Sequence, residues 1–549
     1  MINDYGILYT LIYYRAHVYG SIALVLMIGN SLLTKLLLMI LGVHDISQVA
    51  YDMARHYVLF ISLGLLLLLF FFHARAKYYY VLTGRDIGYD MRHYRRTFFE
   101  LVDYFENAEP HKLDTSAFPE CGWQVTDGLI FGKDGYRIIS IPSSSEANIA
   151  VFGPPGSGKT SGIAIINALR FQGSVLAIDI KGDIYNYVHN HSNRKILRFA
   201  PDAPNALEIS CHFDPLANFY DMSETDQKLY LENMATVLIA DEGGNDGNYF
   251  TTRARKLFQG ITQLILWENP HASFPDIVHK ILTGNVIDWV TKAIDSDCDA
   301  AKELLASLYD NNVKNVSGAY DALTTAIVHF SNPILDELLT SGTNNISIQD
   351  LEAGSDIYLQ ISQEHLDAYA PLFTLLIQSF STAFTKRADS STGVKNRPIL
   401  MLMDEFPQLT FSYKMINSNL STLRSKSVIC MVIQQNLAQL EYRYQSAGAR
   451  SILGNCNYQI ILGSNDIESS EVFSKMFGMK KILRMGNSIT HSDKVSAGQS
   501  AQEAEVRVFP PEYFGDLSFK SQLILYFKGK YAELTKLNCY NATNDGEVI

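Results

Sequence analysis

The sequence predicts an α/β fold, a mostly parallel sheet interrupted by an all-helical insertion and preceded by two helices able to cross a bilayer. Three observations carry that prediction. Short apolar runs stop at Phe152 and Met403, giving way to a glycine and an acid, as buried parallel strands do, and a further strand pattern ends at Ile180. From about Met222 to Ser341 the apolar spacing changes to three and four residues, the period of helices. Ahead of both lie two long apolar runs, Gly20 to Val43 and Tyr57 to Phe72.

Composition is compatible with this plan and removes several others. The chain has 549 residues, 47% hydrophobic and 19% charged, enough apolar material for a large core and too much for a disordered chain. That length accommodates about three or four domains. Six scattered cysteines without a C-x-x-C pair argue against a disulfide framework or a zinc site and fit a reducing compartment. No H-E-x-x-H occurs, so zinc-protease chemistry has no support. The net charge is −12, and 18 acidic against 8 basic side chains between Asp221 and Thr340 account for most of it. Bulk charge therefore neither requires nor excludes a polyanionic ligand.

Taken in chain order, the first element is the anchor. The first apolar run is interrupted by Asn30 and Lys35, whereas the second is uncharged and gains length from Met53 and Ala54. A bilayer core takes about 20 helical residues. Lys35 is costly at mid-membrane unless it snorkels or faces protein. Two runs without a cleavage pattern disfavour a signal peptide, leaving a buried hairpin of a soluble domain as the alternative. Arg75, Lys77, Arg85, Arg92, Arg95 and Arg96 follow the second run, while the stretch from His44 to His56 carries only Arg55. The positive-inside rule then puts both termini in the cytoplasm. Residues 1–80 read as a multi-pass hairpin in the cytoplasmic (inner) membrane, with most of the chain inside the cell.

The next element opens a nucleotide site. Ala147 to Phe152 suits a buried strand, and it leads into Gly153, Pro154, Pro155, Gly156, Ser157, Gly158, Lys159 and Thr160, then a helix-like stretch. This is G-x-x-x-x-G-K-S/T in its strand–loop–helix setting, a P-loop. Glycines let backbone N–H groups wrap phosphates, and the helix start favours their charge. Lys159 is expected on the β and γ phosphates and the Thr160 hydroxyl on Mg²⁺. ATP and Mg²⁺ are the cofactors this implies.

Strands at Ser174–Ile180 and Lys195–Ala200 follow, then the acidic helical block, then a strand at Asp356–Ile361. The run from Pro398 to Met403 ends in Asp404 and Glu405. Asp404 suits the Walker-B role on Mg²⁺, and Glu405 the activation of water, which favours ATP hydrolysis over small-molecule phosphorylation. No N-K-x-D supports guanine selectivity. Ser427 to Ile433 forms another strand, followed by Gln434, read either as a γ-phosphate sensor or as a helix cap. Arg424, just before it, reads either as a finger serving a neighbouring subunit or as a surface arginine. The expected units are the anchor 1–80, a nucleotide-binding domain in two parts (81–221 and 342–549), and an inserted all-α domain at 222–341.

These residues resemble the type IV secretion coupling proteins of the TraG/TraD kind, membrane-anchored RecA-like ATPases that deliver DNA or protein to a secretion channel. The likeness covers Gly128 to Lys133, the P-loop, Asp179-Ile-Lys181-Gly182-Asp183, Phe213-Asp214-Pro-Leu216, the helical insertion, Asp404-Glu405-Phe406 and the Gln434 strand. The D-x-K-G element discriminates most, because generic P-loop proteins lack it. Asp183 stands where the family normally has Glu, and Asp214 where it often has Asn. The family's arginine finger falls in the segment holding Arg424. The resemblance implies a homo-hexamer with nucleotide at subunit interfaces, single-stranded DNA or a relaxase–DNA complex as cargo, and other secretion-channel proteins as partners. With only a short tail after Phe527, it also implies that partner recognition falls to the acidic insertion, favouring a basic protein. Competing expectations are a DNA translocase of the FtsK kind and a nucleotide-gated membrane scaffold without processive pumping.

Overall fold

The computed structural model describes residues 16–41, 47–83, 128–135, 137–239, 245–309, 313–409, 411–490 and 496–540, with positions 43, 112, 113 and 115. Its chain falls into two compact units, one drawn from residues 1–110 and 478–508, the other from 111–477 and 509–549.

The first unit contains helices Ala16–Ile40 and Gln48–Thr83. Polar rungs join them: the Asn30 amide donates to the Arg55 carbonyl (2.8 Å), and the Ser31 and Tyr51 hydroxyls lie 3.0 Å apart. Among the described residues a single stretch, Ala50–Leu69, is long and apolar enough to cross a membrane. The first helix offers only the shorter apolar segment Gly29–Ile40. The expected multi-pass pair is thus corrected to one qualifying span among the described residues. Residues 84–96, with the later arginines of the topology argument, lie outside the described residues.

In the second unit eleven strands build one sheet: β1 (Leu129–Asp134), β2 (Arg137–Ile141), β3 (Ile149–Phe152), β4 (Ser174–Ile180), β5 (Ile196–Phe199), β6 (Asp356–Ile361), β7 (Ile399–Met403), β8 (Val428–Gln434), β9 (Tyr458–Ile461) and, after β10 (Met479–Thr490) and β11 (Ser496–Arg507), β12 (Gln522–Phe527) and β13 (Lys530–Thr535). Their order is β2-β1-β13-β12-β9-β3-β8-β7-β4-β6-β5, parallel from β9 to β5 and antiparallel elsewhere. The central parallel strands β3, β8, β7, β4 and β6 are buried on both faces, which is why β7 (ILMLM) and most of β8 are continuously apolar. The mixed sheet with a P-loop on a central strand is the RecA-like arrangement expected.

Between β5 and β6 the chain is helical, from Glu224–Leu238 through Pro333–Leu338. These helices gather on Asn245–Glu268, where Leu257, Phe258, Ile261, Leu264 and Ile265 are fully buried. Gly260 is needed there, since a Cβ would sit 2.5 Å from Leu305. Sharp local signals start the helices. Ser273 and Asp276 form a reciprocal capping box on Phe274–Thr283.

Strands β10 and β11 pair only with each other and group with the first unit. The sequence reading placed them within the nucleotide-binding half, because their polar, glycine-containing sequence lacks the alternation that marks a half-buried strand.

At the amino ends of the central strands a buried amide ties the sheet together. Asn148 donates from its amide to the carbonyls of Leu420 (2.6 Å) and Asn455 (3.2 Å), and its Oδ1 accepts from the Cys430 N–H (3.1 Å). One side chain thereby fixes the starts of β3 and β8 and the approach to β9.

Candidate functional site

Parallel strands end together at the carboxyl edge of the sheet, and β8 lies between β3 and β7 there. That order brings the loops after β3, β4, β7 and β8 to one cavity of about 330 Å³. It is lined by Pro155, Gly156, Gly158, Lys159, Thr160 and Ser161 of the P-loop, Lys181 and Asp183 after β4, Asp404 and Glu405 after β7, Gln435 after β8, and Tyr540.

The P-loop takes its shape from its glycines. A Cβ on Gly153 would lie 2.3 Å from the Ser157 hydroxyl, and Gly156 and Gly158 have φ of 78° and 95°, the left-handed region open to glycine. Ser157 N–H donates to the Pro154 carbonyl (3.2 Å), closing the turn. The following helix runs Lys159–Ala164 and Ile165–Arg170, burying Ile163, Ile165 and Ile166 on the sheet. Asn167 in that helix clamps it to β1, accepting from the Ile130 N–H (2.7 Å) and donating to the Ile130 carbonyl (2.9 Å).

Lys159 is 8% exposed, and its ammonium donates to the carbonyls of Gly153 (2.6 Å) and Pro154 (3.3 Å). Burial lowers its pKa, against the pull of Glu405 and Asp404. Asp404 and Glu405 are 6% and 5% exposed. Burial, then the neighbouring Glu405 and Asp179 charges, push the Asp404 carboxyl up to about 7, with Lys159 opposing. Two acids held this deeply beside one lysine leave negative charge that a cation would compensate. The Thr160 hydroxyl and Asp404 carboxylate line the same cavity and are hard oxygen donors, which suits Mg²⁺. Among the described residues no cluster of three or more His, Cys, Asp or Glu side chains could hold a metal alone. A small Mg²⁺ shell completed by phosphate and water does not require one.

Glu405 sits at φ 47°, a left-handed conformation that costs a non-glycine residue about 1–2 kcal/mol. Both its carboxylate oxygens accept from the Gln435 amide, at 3.1 and 3.2 Å. Gln435, rather than the expected Gln434, therefore reaches the cavity. Gln434 is the last rung of β8, paired with Phe152, and its side chain is fully buried with neither amide atom hydrogen-bonded. The ladder extends one residue further than the apolar run suggested, so the first side chain free of it is the next glutamine.

Arg424 does not join this cavity. It precedes β8, so seven strand residues, about 20 Å, separate it from the site. There it donates to Asn457 (3.3 Å).

Asp179, first residue of the D-x-K-G element, is buried and caps the next helix, accepting from Tyr185 N–H (2.8 Å), Ile184 N–H (3.4 Å) and Gln360 (3.3 Å). Burial raises its pKa to about 6. The turn it anchors puts Lys181 (φ 92°) and Gly182 (φ 81°) in left-handed backbone, which delivers Lys181 and Asp183 to the cavity wall. The sequence reading used this element only as a resemblance and gave its side chains no role.

A family model described as type IV secretory system conjugative DNA transfer matches residues 108–543. Protein VirD4 of Rhizobium radiobacter is 24% identical over 426 residues, 75% of this chain and 60% of that protein. This chain thus spans about 60% of the length of that relative. The plasmid coupling protein TrwB in complex with the ATP analogue ADPNP superposes with a TM-score of 0.57 at 14% identity, covering 79% of this chain and 92% of that one. TrwB in complex with ADP and Mg²⁺ gives 0.56 at 15%, covering 74% and 89%.

Proposed function

The chain belongs to the type IV secretory system conjugative DNA transfer family, and from that premise we propose that it is a membrane-anchored ATPase driving DNA, or a protein–DNA complex, into a conjugation or secretion channel. The observation that carries this reading is the convergence of Lys159, Thr160, Asp404 and Glu405 on one cavity at the carboxyl edge of the sheet. TrwB, of the same fold, was solved with ADPNP and with ADP and Mg²⁺, which supports Mg·ATP as the ligand here.

Each side chain then has one task. Lys159 leaves its loop carbonyls for the β and γ phosphates, and the P-loop N–H groups cradle them. Thr160 and Asp404 would hold Mg²⁺, which would supply positive charge against the phosphates. Glu405 accepts a proton from the attacking water and orients it in line with the γ-phosphate, while Gln435 fixes the carboxylate. Arg424 cannot reach its own cavity, which supports its service to a neighbour's nucleotide in a homo-hexamer. Ala50–Leu69 would anchor the ring in the cytoplasmic membrane, and the acidic insertion would receive a basic relaxase or accessory protein.

The test is Mg·ATP turnover by full-length protein in nanodiscs, with Lys159→Ala and Asp404→Asn beside the wild type. Turnover that falls at least 100-fold in both variants supports the reading. Turnover that survives either substitution rules this cavity out as the site of hydrolysis.

A further inference from the structure

Beside the P-loop backbone and the polar side chains of the cavity stands one ring. Tyr540 carries the only aromatic ring among the described residues lining it, and that residue is 63% exposed although the tail leading to it is buried. A surface tyrosine on a loose tail would have no fixed place. This one is held from three sides. The Cys539 N–H donates to the Ser161 carbonyl (3.0 Å), in the first turn of the P-loop helix. The Cys539 carbonyl accepts from the Tyr187 hydroxyl, and the Tyr187 ring meets Tyr540 edge-on at 5.3 Å. The Leu537 carbonyl lies so near Gly162 that a Cβ there would be 2.7 Å away. The tail after β13 is thus strapped across the P-loop helix, with Leu537 and Cys539 buried as its fastenings.

We propose that Tyr540 is the nucleobase platform of this site: its ring stacks on the base of the nucleotide whose phosphates the P-loop holds. The inference rests on the nucleotide-binding reading above and adds a residue to it. The physical case is that a base needs a flat apolar face beside polar phosphate contacts. Among the described residues Tyr540 is the one ring on the wall, and its backbone is tied to the helix that follows the phosphate loop. Tyr187 braces it from the far side, with its own ring stacked on His191 at 4.1 Å. Stacking reads the π-face rather than the edge of a base, which fits a cavity whose sequence shows no guanine-reading motif.

The experiment measures binding by full-length protein in nanodiscs of two Mg²⁺-loaded ligands, ATP and inorganic tripolyphosphate, the second having phosphates and no base. Tyr540→Ala is expected to weaken ATP by about 5- to 30-fold, the lower part of the range for base–aromatic stacking because the ring is partly exposed. Tripolyphosphate should change less than about twofold, and Tyr540→Phe should restore ATP binding. ATP binding unchanged in Tyr540→Ala overturns the platform and leaves the nucleotide site intact. Equal loss of both ligands also overturns it, by making the tail a structural support of the P-loop. Wild type that binds neither ligand overturns the nucleotide-binding reading itself and the platform with it.

Discussion

Replacing Gln435 by Leu tests how the hydrolytic carboxylate is held. The Gln435 amide donates to both oxygens of Glu405, at 3.1 and 3.2 Å, in a pocket where Glu405 is 5% exposed. A hydrogen bond to an ionised acceptor contributes about 1.5–3 kcal/mol, and its loss here falls on orientation, since Glu405 stays in place through its backbone. At about 1.4 kcal/mol per factor of ten, the predicted fall in kcat is about 10- to 100-fold. Mg·ATP binding relies on Lys159, Thr160 and the P-loop, so KM should move less than about threefold, the mark of an interaction used in the transition state. The assay is steady-state phosphate release by Gln435→Leu and Gln434→Leu proteins. A rise in kcat would refute the argument by showing that Gln435 restrains Glu405 away from water. A larger loss in Gln434→Leu than in Gln435→Leu would refute it by returning the role to the buried glutamine.

Three further outcomes are expected. Glu405→Gln should lower phosphate release at least about 100-fold, the scale of general-base loss, while equilibrium binding of Mg·ATP stays within about threefold. Asn148→Ala removes three side-chain hydrogen bonds, two of them buried, and strands the Cys430 N–H, so the denaturant midpoint should fall by the equivalent of about 2–4 kcal/mol. Asp356 is buried, pairs with Arg194 at 3.1 Å and accepts from Val175 N–H, yet burial raises its pKa to about 6. The folded protein therefore keeps a proton that the unfolded chain releases, and stability falls as pH rises from about 4 to 6. Asp356→Asn should flatten that part of the stability–pH curve by on the order of 3 kcal/mol, read from unfolding midpoints at pH 4, 5, 6 and 7.

Much of the sheet was legible because its strands are buried on both faces. Ser174–Ile180 and Asp356–Ile361 coincide with β4 and β6, and the runs before the P-loop and before Asp404 fall within a residue or two of β3 and β7. The helical insertion was equally plain, since a 3.6-residue period sustained over several segments has no strand reading. At the site, Lys159, Thr160, Asp404 and Glu405 were readable because strand–loop motifs define them and the sheet order does the rest. Gln434 and Gln435 could not be separated by apolarity alone. Only the ladder pairing with Phe152 shows which of the two leaves the sheet. Tyr540 was invisible for a different reason: it reaches the cavity from a tail far along the chain, and the signal for its approach is the bare α-carbon of Gly162.

The most direct test of the central claim, that ATP hydrolysis in this cavity is coupled to DNA, is phosphate release titrated with single-stranded DNA. The full-length protein in nanodiscs would be assayed at two salt concentrations, because phosphate contacts weaken with salt. The account predicts stimulation by DNA that shrinks at the higher salt and vanishes in Lys159→Ala. Hydrolysis that needs Lys159 yet ignores DNA at both salts would contradict it and point instead to a protein cargo delivered without DNA.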